Sequence, residues 1–251
     1  MPTRVEIGRY MGGNGMKTYL RLFLLAGGCL LCGAAYAGHE GDPHYTPAGF
    51  FDTHVCNWPE EPHFLMALFS TTRFDEVAKV SVFAPDGKFV GDLDLTRFRA
   101  FKTKSGQAKR AFIAHFDLPE KVVDGWYRAE VSLKDGSRFE ARDYVVDQFM
   151  AQPTGTQPPQ DANDVPATTV LRWNPIPGAK YYEVFLRDEW AGTAASDSGL
   201  LTEPRFVPPK GLLQPGGAYV WRIHARDSGG TVLLGDFNDG SLSREMRFSV
   251  K

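Results

Sequence analysis

The chain has 251 residues, 43% of them hydrophobic, and carries 28 Lys and Arg against 30 Asp and Glu for a net charge of −2. That apolar share is enough for packed cores, and the lack of a basic excess argues against nucleic acid or an anionic membrane as partner of the molecule as a whole. Three cysteines in the whole chain exclude a disulfide-stapled scaffold.

Residues 1–15 read as an upstream extension, with Met16 the expected start. Residues 16–37 then have the three parts of a cleavable secretory signal peptide. Lys17 and Arg21 form the positive start, Leu22 to Leu31 the apolar middle, and Ala35-Tyr36-Ala37 the small-residue cleavage site. The apolar run is well short of the roughly 20 residues a spanning helix requires, so no transmembrane span is expected in the mature chain. Cys29 after Ala26-Gly27-Gly28 is similar to a lipoprotein box, but Leu25 lies one place too far from the cysteine. The expected location is periplasmic or extracellular. Cleavage would remove Cys29 and Cys32, leave Cys56 as the one remaining thiol, and shift the balance to 24 basic against 29 acidic residues.

Residues 38–151 read as an amino-terminal segment and an immunoglobulin-like β-sandwich. Strands are expected at His63–Ser70 and Arg110–Phe116, and a short helical turn at Thr72–Val77. Asp86-Gly87 and Asp135-Gly136 each lie between β-prone runs, as a tight hairpin turn needs. From Trp126 to Leu133 the residues alternate, with Tyr127, Ala129, Val131 and Leu133 on one face and Arg128, Glu130 and Ser132 on the other. Residues 152–166, QPTGTQPPQDANDVP, have the composition of a linker.

Residues 167–251 carry a further set of strands. Trp173, Pro177-Gly178 and Tyr182, followed by Leu213, Pro215, Tyr219, Trp221 and Ala225, resemble a fibronectin type III domain over about residues 166–250. The resemblance implies a seven-stranded sandwich with Trp173 and Trp221 in its core, and a corner in which the Tyr219 hydroxyl bonds nearby backbone. The expected fold class is therefore all-β, with two tandem antiparallel β-sandwiches after the signal peptide.

No Gly-x-Ser-x-Gly elbow, His-Glu-x-x-His pair or phosphate-cradling loop occurs, so no catalytic residues are assigned and a non-catalytic protein is expected. Three readings remain open. The first is a non-catalytic binding or assembly module with a protein or polysaccharide partner. The second is a copper or zinc site built from His39, His44, His54, Cys56 and His63, since imidazole and thiolate bind those ions and cleavage would place His39 second in the chain. The third is carbohydrate attachment through outward rings at Tyr181, Phe185 and Trp190. His224, between Arg222 and Arg226, is expected to be solvated and His115 structural. Glu60-Glu61 and Asp117-Glu120 are expected as surface charge, and Asp236 to Gly240 as a hairpin turn only faintly similar to a calcium loop.

Overall fold

Period-two alternation of apolar and polar side chains, punctuated by Asp-Gly turns, produces strands, and no helix occurs among the described residues. The computed structural model describes residues 39, 41–118, 122–228 and 238–251. The signal peptide, the upstream extension, Glu120 and Asp236-Phe237 lie outside them.

The first half contains β1 (Tyr45–Thr46), β2 (Gly49–Asn57), β3 (Pro62–Thr71), β4 (Val77–Phe83), β5 (Phe89–Asp92), β6 (Phe98–Lys102), β7 (Ala108–Asp117), β8 (Gly125–Leu133) and β9 (Arg138–Val145). The second contains β10 (Ala162–Val165), β11 (Leu171–Arg172), β12 (Tyr181–Asp188), β13 (Thr193–Asp197), β14 (Arg205–Phe206), β15 (Ala218–Arg226), β16 (Asp239–Leu242) and β17 (Met246–Val250). Both Asp-Gly pairs form the expected turns. Gly87 and Gly136 have φ of 82° and 89°, which a side chain would strain. Asp86 and Asp135 accept the backbone N–H two residues on, at 3.0 and 2.8 Å. At the expected helical turn there is a single turn, closed by Glu76 N–H on the Arg73 carbonyl at 2.9 Å.

An eleven-stranded sheet runs in the order β10-β17-β15-β16-β2-β3-β7-β6, with β1 beside β2 and the pair β12–β13 attached through β15. It passes through both halves because β16 pairs in parallel with β2, Asp239 opposite Val55 and Gly240 opposite Cys56. Consistently, the described residues form one unit. A four-stranded sheet, β5-β4-β8-β9, packs on one face of the first half, and the two-stranded sheet β11–β14 contributes to the second.

Phe51, Ala67, Phe69 and Phe112 of the large sheet interlock with Val80, Val82, Ala129, Val131 and Ala141 of the four-stranded one. Burying each larger side chain contributes about 1.5–3 kcal/mol. In the second half Leu171, Trp173 and Phe206 pack against Tyr182, Val184, Leu186, Trp221 and Ile223. The Tyr219 hydroxyl accepts the Gln214 N–H at 2.8 Å and donates to the Leu212 carbonyl at 3.1 Å.

Residues 152–166, expected as a spacer, are hydrogen-bonded into the second half. Gln157 bridges to Arg172, Asp161 N–H reaches the Arg247 carbonyl at 2.8 Å, and β10 lies parallel to β17. Prolines lack a donor, but the residues between them keep theirs, and an extended edge takes up those groups.

Candidate functional site

Strand β2 alternates between two environments. Phe51, Thr53 and Val55 turn toward the four-stranded sheet, so Asp52, His54 and Cys56 form a row on the opposite face. The row is sealed, with exposures of 1%, 0% and 1%. His54 Nδ1 lies 2.8 Å from Asp52 Oδ2. Burial alone would lower the His54 pKa, but Cys56 and the Asp52 carboxylate beside it outweigh that and push it up to about 10.

The row continues across the seam between the halves. Arg226 pairs with Gly240 and His224 with Leu242, which places both on the face of His54 and Cys56. His224 and Arg226 are 5% and 2% exposed, so His224, expected to be solvated, is buried. Arg226 is ion-paired to Glu183. Burial, followed by the charges of Arg226 and His54, pushes His224 down to about 3. The proton therefore resides on His54 and not on His224. Asp239 accepts the Met150 N–H at 3.0 Å. Burial, reinforced by Asp227, raises its carboxyl to about 6.

Of the five expected metal ligands, only His54 and Cys56 come together. His39 stacks on Tyr45 with ring centroids 3.6 Å apart. His44 bridges two carboxylates, with Nδ1 2.7 Å from Asp42 and Nε2 3.1 Å from Asp143. His63 is exposed, has φ of 59°, and packs its ring 4.3 Å from that of Phe149. Among the described residues no group of three or more His, Cys, Asp or Glu is placed to hold a metal ion. The five expected donors are thus not gathered at one point among the described residues.

The aromatic positions behave differently. Tyr181, Glu183, Phe185 and Arg187 share the outward face of β12; Phe185 is 39% exposed and Tyr181 half-buried. Trp190, in the β12–β13 turn, is 79% exposed. Its backbone is fixed, because Asp188 Oδ1 accepts the N–H groups of Trp190 and Ala191 at 2.9 and 3.0 Å. Phe185 stands opposite Arg222, whose Nη2 donates to the Glu60 carboxylate at 3.1 and 2.9 Å. Glu61 meets His115 Nδ1 at 2.7 Å. The Glu60-Glu61 pair thus ties one half to the other and β7 to the β2–β3 turn.

Sequence reasoning missed Asp52, Asp143, Arg226 and Asp239 as members of the polar network. Asp52 had a signal, since it stands two residues before His54 on an alternating strand. Asp143 and Asp239 had none, because their partners lie about 90 residues away or more.

No family model and no curated protein matches the chain. It is similar to dimeric latent PorU from Porphyromonas gingivalis at 14% identity and TM-score 0.28, over 74% of this chain and 18% of that one. It is also similar to the surface protein SGBP-B of the Bacteroides ovatus mixed-linkage glucan utilization locus, solved with a mixed-linkage heptasaccharide. There the identity is 12% and the TM-score 0.22, over 74% of this chain and 41% of that one. Likenesses this loose carry neither fold nor function.

Proposed function

We propose that the chain is an exported, non-catalytic binding or assembly module of two β-sandwich domains, the second similar to fibronectin type III, which engages a partner through Tyr181, Phe185 and Trp190. The observation that carries the reading is Trp190, 79% exposed at a hairpin tip whose backbone is pinned by Asp188. A large ring held rigidly in water loses little entropy on binding and contributes a large contact area. The non-catalytic part is supported by the sealing of the Asp52-His54-Cys56 row, which a substrate does not reach. The Tyr219 hydroxyl bonds to Leu212 and Gln214 support the fibronectin-like assignment.

A photo-crosslinking residue placed at position 190 in cells should give a discrete adduct that the same residue at Val207, also exposed at 62%, does not. Identical adduct patterns from both positions would sink the proposal. Carbohydrate attachment is the second reading, favoured by the outward rings themselves. It requires that the purified chain sediment with an insoluble polysaccharide and that Trp190→Ala abolish this.

A further inference from the structure

The net charge hides a local imbalance. Between Asp94 and Asp117 there is no acidic residue, yet Arg97, Arg99, Lys102, Lys104, Lys109 and Arg110 all fall there. They lie on the β6–β7 hairpin, whose outer strand β6 is an edge of the large sheet. Many cations elsewhere are matched, among them Arg73 with Glu76, Lys79 with Asp92, Arg128 with Glu130 and Arg187 with Glu245. None of the six makes an ion pair among the described residues.

Arg97, Arg99, Lys102 and Lys104 are exposed. At about 3.3 Å per residue, the extended edge Phe98–Lys102 spans roughly 15 Å, with Arg97 in the bend before it and Lys104 in the turn after it. Beside it lies a groove of about 470 Å³ whose lining includes Arg97, Phe98, Arg99, Ile113, His115 and Glu61. Lys109 is partly buried and has no carboxylate to offset it, so burial holds its ammonium below the ordinary pKa.

We propose that this hairpin binds a carboxylate-bearing polysaccharide, its acid groups on Arg97 and Arg99, which line the groove, and a sugar ring in the groove beside Ile113. Charge complementarity selects an anion, and two features narrow its kind. The hairpin tip, Thr103 to Gln107, offers no large apolar side chain to a bilayer, and its cations occupy both faces instead of one plane. The Phe98 ring that might stack a base is occupied by Arg110, 4.1 Å from its centroid. The inference does not depend on the Trp190 ridge.

The test is binding of the full chain to polygalacturonate at low and moderate salt, in parallel with poly-L-glutamate, a single-stranded DNA oligonucleotide and phosphatidylglycerol vesicles. Polygalacturonate should bind tightest, weaken as salt rises, and lose at least about tenfold in affinity in Arg97→Glu/Arg99→Glu. Arg97→Gln/Arg99→Gln should lose less, with both variants keeping the parental thermal midpoint, and Trp190→Ala should bind as the parent does. The inference is overturned if polygalacturonate fails to bind, if either substitution leaves its affinity unchanged, or if the peptide, DNA or vesicle binds as well.

Discussion

Two rows of side chains point from the same sheet and have opposite fates. On β2 the outward row Asp52, His54 and Cys56 holds every group that chemistry would want and is closed to water. On β12 and its turn the outward rings Phe185 and Trp190 hold no reactive group and are open to it. β2 runs inside the large sheet between β3 and β16 and its row is covered, whereas β12 has only the short edge strand β13 on its outer side. Access, not residue type, separates a row that stabilises the fold from one that can meet a partner.

The sharpest way to break that comparison is Asp52→Ala. Removing one partner of a buried pair leaves the other charge uncompensated, so urea unfolding should show a loss of about 3–5 kcal/mol. A loss below about 1 kcal/mol would mean the row is solvated after all.

Next comes pH. The folded pKa of His54, about 10, lies above its ordinary 6.5. Its stabilising contribution is thus fully present below pH 6.5 and lost as pH rises through 10. His224 works in reverse: its folded pKa is about 3, so stability drains as pH falls from 6.5 toward that value. Urea midpoints should therefore decline from pH 6.5 to 9.5, and His54→Gln should flatten that limb.

A smaller effect is expected at Tyr219→Phe, which removes one hydroxyl serving two backbone groups. Calorimetry should register about 1 kcal/mol. A neutral substitution would remove one support for the fibronectin-like assignment. Smallest of all, Trp190→Ala should change stability by no more than about 0.5 kcal/mol while weakening partner capture. A large destabilisation there would place the ring in a core and end the contrast.

The alternation of β8, the two Asp-Gly turns and the buried Trp173, Tyr219 and Trp221 were legible because each depends on residues within one strand or one turn. The polar seam was not legible. His224 looked solvated between two arginines, because the same two-residue period marks an exposed row and a row covered by other parts of the chain. The basic hairpin was in plain view but was averaged away in the net charge.

By itself the sequence determined that this is an all-β chain and roughly where β3, β7 and β8 run, because side-chain period and turn chemistry are local. Only the tertiary structure decided that one sheet runs through both halves, that residues 152–166 belong to the second, and that the histidine–cysteine row is closed while Trp190 and the Arg97–Lys104 edge are open. The continuous sheet depends on pairing between residues 184 positions apart, such as Cys56 with Gly240, and no local pattern encodes which strand becomes a neighbour.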